Sequence, residues 1–192
     1  MPRVRLAVVV AVLLLALTAS PALAAPCASA DRAPAQGADR ARLATLCLVN
    51  VERRRRGLPR LRQERELQRA AQRHARDMVA RRFFSHVSPG GAGLTARIRA
   101  ASAYLDRARG FRLGENLAWA PTGAATPRAI VRSWLRSPGH RRTMLDPRFR
   151  EMGLGVALGT PAGRAGATYA NQFGTRGSGS SPETRALAHR PG

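Results

Sequence analysis

The strongest constraint on this chain is a change in apolar spacing along its length. Helical stripes come first, and apolar segments punctuated by glycine come last. From Ala38 to Arg56 the positions Leu43, Leu46, Cys47 and Val51 recur at helical intervals, which predicts a helix with one buried stripe ending at Gly57. Leu58-Pro59-Arg60-Leu61 is an extended link, because Pro59 lacks a backbone donor and steers Leu58 away from helix. A second helix is predicted from about Glu64 to Arg81, with Leu67, Ala70, Ala71, His74 and Met78 inward. His74 reads there as a hydrogen-bonded interior residue. A short helix over Leu94 to Ala101, an extended Leu113 to Trp119 and a helix over Pro127 to Arg136 follow. Ser137-Pro138-Gly139-His140 then has the form of a helix start, with Ser137 as N-cap and proline at the first helical position. Met152 to Leu158 and Ala167 to Phe173 predict two β-strands paired across the turn from Thr160 to Gly166. Helices first and short strands later imply an α+β fold, with helices packed on an antiparallel sheet.

The ends carry different signals. Arg3 and Arg5 precede an apolar run from Leu6 to Leu17 that closes on Ala22-Leu23-Ala24, the order of a signal peptide over residues 1–24. That run falls short of the roughly 20 apolar residues of a bilayer-spanning helix, so the expected mature chain is exported and has no transmembrane segment. Residues 25–40 read as a linker, 41–176 as one domain, and 177–192, rich in Gly, Ser, Thr and Pro, as a disordered tail. The chain has two cysteines, Cys27 and Cys47. In an exported protein they read as a disulfide. Two alternatives stand beside it: Cys47 as a small buried apolar residue, and Cys27 as a lipidated first residue, against which Pro26 argues.

The formal net charge is +22, and all 33 basic residues are arginine. Such a surface favours polyanions. The arginines are spread along the chain without interleaved aromatics, which argues against specific nucleic-acid binding and leaves an anionic cell-envelope polymer or lipid as the expected partner.

Chemistry concentrates on three residues in loops or at element ends: His86, Glu115 and His140. At the start of a helix, His140 is expected to stay neutral, the form that binds a metal or serves as a general base. His86 and His140 could supply two nitrogen ligands to zinc or another divalent ion. Glu115 could orient a ring, act as a third ligand or activate a water. Glu115 and His140 are therefore the catalytic candidates. The separations, 29 and 25 residues, match no local metal motif, so three unrelated polar residues satisfying loop backbones is the competing interpretation. Ser85, Ser88 and Ser137 read as loop and cap residues rather than nucleophiles.

Several blocks, in order, resemble one family: Asn50 to Arg54 with Gly57 to Leu61, Ala70 to Met78, Phe83 to Pro89, Gly114 to Ala118, Trp134 with Ser137 to Arg141, Met152 to Val156, and Tyr169 with Gln172 to Gly174. Together they resemble bacterial members of the CAP superfamily, that of cysteine-rich secretory proteins, antigen 5 and pathogenesis-related proteins. The resemblance implies an α-β-α sandwich, an extracellular or wall-associated place, and a cleft of two histidines and two acidic residues that binds a divalent metal in some members. Position by position these are His86, His140 and Glu115. The second acid has no match, because Leu135, Arg136 and Ser137 follow Trp134. The expected function is a secreted binding module whose cleft takes a metal ion and a small or lipidic ligand. The alternatives are a metal-assisted, peptidase-like hydrolase and a basic envelope adhesin.

Overall fold

A computed structural model describes residues 27–34, 38–106 and 108–177. The signal peptide expected over 1–24 lies outside the described residues, as does the tail beyond Gly177. Among the described residues no helix is long and apolar enough to cross a membrane.

The elements are α1 (Ala38–Arg54), β1 (Arg62–Gln63), α2 (Arg65–Ala80), α3 (Leu94–Ala101), β2 (Phe111–Pro121), α4 (Pro127–Arg136), α5 (Pro138–Met144), β3 (Glu151–Leu158) and β4 (Gly166–Arg176). The sheet runs β1-β3-β4-β2. The β3–β4 and β4–β2 pairings are antiparallel, and the two-residue β1 lies parallel to β3. The fold is α+β, as the spacing predicts. β1 follows the extended link and carries too little alternation to be visible in sequence.

Alternation along β2 to β4 gives the sheet two apolar faces, each covered by helices. One face packs Leu117, Ala157 and Ala170 on Ala71, Ala75 and Met78 of α2, and α3 adds Ile98 beside Leu67 and Ala70. The other packs Leu154, Val156, Tyr169 and Phe173 with Leu48 and Val49 of α1, Ile130 and Trp134 of α4, and Met144 of α5. This is an α-β-α sandwich. Its first interface is unusually close. A Cβ on Gly153 would lie 2.2 Å from the Gln68 nitrogen, and one on Gly155 2.3 Å from the Ala71 carbonyl, so the small residues of Met152 to Val156 are a bed for α2. Gln72, on α2, also pairs with the β3 backbone: its Nε2 donates to the Val156 carbonyl at 2.9 Å and its Oε1 accepts from the Val156 N–H at 3.0 Å.

α1 departs from the expected stripe. Leu43 is 58% exposed, and the buried positions include Thr45, Asn50 and Arg53. The helix is rotated because polar groups do structural work inside. Asn50 exchanges two hydrogen bonds with the Leu61 backbone, and the buried Arg53 guanidinium donates to the carbonyls of Pro59, Met144, Asp146 and Phe149.

Cys27 and Cys47 form a disulfide. Residues 27–34, inside the stretch expected to be a linker, are docked: Ala30 is buried, its carbonyl accepts from Arg128 N–H at 2.9 Å, and Asp31 pairs with the Arg128 guanidinium at 2.7 Å.

Candidate functional site

β2 is an outer strand of the sheet, so residues at its middle can be approached round one edge from both helix layers. Glu115 sits there, opposite Gln172 of β4. Its side chain is 3% exposed, yet it is fully engaged. The His86 Nδ1–H donates to Oε1 at 2.9 Å, one terminal nitrogen of Arg97 bridges both oxygens at 2.8 Å, and Gln172 Nε2 reaches Oε2 at 3.4 Å. Burial alone would raise the Glu115 pKa. The His86 hydrogen bond and the Arg97 charge outweigh it, so the carboxylate is held below its usual range and stays ionised.

His86 arrives from the loop between α2 and α3, and that loop is pinned from within. α2 ends through Arg82 in a left-handed conformation, and Phe83 N–H returns to the Met78 carbonyl. The buried His74 donates from Nε2 to the Ser85 carbonyl at 3.0 Å, the interior role its place on the stripe predicts. Arg97, on α3, completes the clamp, donating to the carbonyls of Ala92 and His86 as well as to Glu115. The His86 ring itself is 57% exposed.

His140 comes from the opposite layer, in the first turn of α5. Its carbonyl accepts from Asn116 Nδ2 at 2.9 Å, so the strand residue next to Glu115 fixes the helix that carries the second imidazole. Ser137 stands at the N-cap position, but its side chain makes no capping bond. The residue closes α4 instead, its N–H bonding Ser133 while its carbonyl accepts from Arg141 N–H. The His140 pKa is lowered chiefly by burial and then by nearby His86, rather than by the helix terminus that the sequence suggested.

The structure therefore joins His86 to Glu115 directly and brings His140 within electrostatic reach of His86. Among the described residues no hydrogen bond links His140 to Glu115. Sequence reasoning missed Arg97, Gln172 and Asn116. A guanidinium among 33 arginines carries no distinguishing signal, and the two amides are identifiable only once the register β2–β4 is known.

The metal expectation meets a small donor set. A zinc site takes three or four protein ligands; here the available nitrogens are those of the exposed His86 and the half-buried His140, while both Glu115 oxygens are committed to Arg97 and His86. Among the described residues no group of three or more His, Cys, Asp or Glu could hold a metal ion. The residues present do not fit a resident metal. What they do offer is an exposed His86 ring held by Glu115, with the half-buried His140 nearby; Phe84 and Val87 on the His86 loop and Trp119 on β2 are also exposed.

A family model described as CAP, cysteine-rich secretory protein family, matches residues 46–173. The chain is 29% identical to the Bacillus subtilis (strain 168) protein YkwD over 131 residues, covering 66% of this chain and 44% of that protein. Among solved structures, an extracellular protein containing an SCP domain from Bacillus anthracis superposes with a TM-score of 0.59 at 28% identity, over 70% of this chain and 40% of that one. An outer surface protein from Borrelia burgdorferi, 20% identical, shares the fold with a TM-score of 0.57 over 69% of this chain and 90% of its own. The chain spans less than half the length of either Bacillus protein.

Proposed function

The chain belongs to the CAP, or cysteine-rich secretory protein, family, and we propose that it is an extracellular binding module, recognising its ligand through the cleft where His86 and His140 meet at the β2 edge. The extracellular location is supported by the leader-like pattern of residues 1–24 and by the likeness to an extracellular SCP-domain protein from Bacillus anthracis. One observation carries the choice of binding over catalysis: Glu115 is ion-paired on both oxygens with a buried arginine. A carboxylate so engaged has a low proton affinity and no open position for a water, so it is a poor general base. It is instead well placed to fix the His86 ring, as carboxylates do for ligand-binding imidazoles. The Ser85 hydroxyl accepts from Val87 N–H, in keeping with a loop residue rather than a nucleophile. The basic surface holds the module near an anionic envelope, and the cleft gives the contact its specificity.

Pelleting the mature protein with purified bacterial cell wall tests this. At about 150 mM salt, where surface charge is screened beyond roughly 8 Å, the protein stays bound and a His86→Ala/His140→Ala variant is released. Retention that the double variant shares, and that fades with salt alone, would reduce the protein to a basic adhesin. Peptide or ester turnover abolished by Glu115→Gln in a folded protein would make it a hydrolase.

A further inference from the structure

The two margins of the sheet are finished differently. In an antiparallel pair, residues bonded to the neighbouring strand alternate with residues whose N–H and C=O point away from it. Gln72 takes both backbone groups of Val156, so Val156 points away from β4, and its partner Tyr169 points toward β2, where it meets Ala118. The even-numbered residues of β2 therefore bond β4, while Phe111, Leu113, Glu115, Leu117 and Trp119 turn their backbone groups outward. Trp134 Nε1 donates to the Leu117 carbonyl at 3.1 Å, and Leu117 is buried beneath it. Before that point, the outward N–H and C=O groups of Phe111, Leu113 and Glu115 have no partner among the described residues. Glu115 makes the exposure plain: its side chain is 3% exposed while the residue as a whole is only half-buried, so the part that solvent reaches is backbone.

A bare run of alternate donors and acceptors is complemented by another extended main chain. The open stretch ends between the two histidines, His86 bonded to the Glu115 side chain on one face and the His140 carbonyl bonded to Asn116 on the other. Charge selects the occupant. Arg112 flanks the edge and shares a recess with Arg136 of α4 and Arg141 of α5. None of the three makes a side-chain hydrogen bond or ion pair among the described residues. A second copy of a chain with a net charge of +22 is repelled there, whereas an acidic strand is attracted. We infer that the β2 edge from Phe111 to Glu115 accepts an extended acidic peptide as an added strand, its acidic side chains toward Arg112 and Arg141 and one end at the cleft of His86 and His140. This names the ligand class of the binding module proposed above and rests on that reading.

Amide hydrogen exchange of the disulfide-intact protein, followed by NMR with a capped hexapeptide of alternating threonine and glutamate, tests the added strand. At saturation the Leu113 and Glu115 N–H groups exchange at least about tenfold more slowly, and the peptide binds at least about tenfold more tightly than its threonine–lysine counterpart. N-methylation of one alternate set of peptide amides abolishes binding, because those nitrogens face β2, and methylation of the other set spares it. An Arg112→Gln/Arg141→Gln variant, altered only at exposed positions, unfolds at the same temperature and loses most of the preference for glutamate. Unprotected Leu113 and Glu115, equal binding of the two methylated peptides, or equal binding of the lysine peptide overturns the proposal. So does protection that grows with protein concentration alone, the mark of a second copy. In His86→Ala/His140→Ala the peptide still protects Leu113 while retention on cell wall is lost. Retention that depends on the histidines in a protein whose Leu113 is never protected overturns the added strand alone; protection of Leu113 with retention indifferent to the histidines overturns the cleft reading instead.

Discussion

His74 shows how one interior residue couples the site to pH. Its Nε2–H is spent on the Ser85 carbonyl, so the neutral ring leaves Nδ1 buried and without a partner among the described residues. Burial pushes its pKa down, nearby Arg97 adds to the effect, and Glu115 opposes it. A histidine with a folded pKa below its unfolded value binds the proton more readily when unfolded. Its contribution to stability is thus complete above the ordinary value of about 6.5 and is lost as pH falls below it. Urea midpoints between pH 7.5 and 5 should decline, and His74→Gln, which keeps a donor for Ser85 but cannot titrate, should flatten the decline. An equal slope in both proteins would place the acid sensitivity elsewhere. At this scale His86, Glu115 and His140 were singled out in the sequence as titratable residues in loops or at element ends, although Glu115 lies within β2. Arg97 was not, since nothing local separates a clamping guanidinium from a solvated one.

Among the elements, the contact of α2 with β3 has no side-chain layer to absorb change. Gly155→Ala would force its methyl to within 2.3 Å of the Ala71 carbonyl, and backbone cannot yield as a flexible side chain can. Overpacking of this kind costs about 1–3 kcal/mol or more, whereas Gly123→Ala, with nothing within 4 Å of its Cβ, should stay within about 0.5 kcal/mol of the parent. Denaturant melts of the two variants make the comparison; a mild Gly155→Ala would mean that the helix can lift off the strand. The periodicity of α2 and the glycine alternation of β3 predict both elements, because there apolar burial decides the geometry. In α1 it does not: Asn50 and Arg53 are turned inward by the carbonyls they satisfy. A hydrophobic stripe contains no information about such bonds, so the wrong leucine was assigned to the core.

For the molecule as a whole, the order of patterns predicted helices packed on an antiparallel sheet and the family resemblance implied the second helix layer, but neither said how firmly the described N-terminal segment is tied down. The Cys27–Cys47 bridge closes a separation of 20 residues, worth about 3 kcal/mol in the chain-entropy account. Reduction, or paired Cys27→Ser and Cys47→Ser substitutions, should lower unfolding stability by about that amount. A negligible loss would show that Asp31 and Arg128 hold the segment unaided. The opposite margin of the sheet carries a quieter provision. β1 shields only Glu151 and Met152, and beyond it the strand would present a bare seam of the kind along which identical chains stack into fibrils. The Gln72 amide has already claimed the Val156 donor and acceptor, so a second copy arriving there finds both spoken for, and crowding at high concentration meets a margin closed from inside the same molecule.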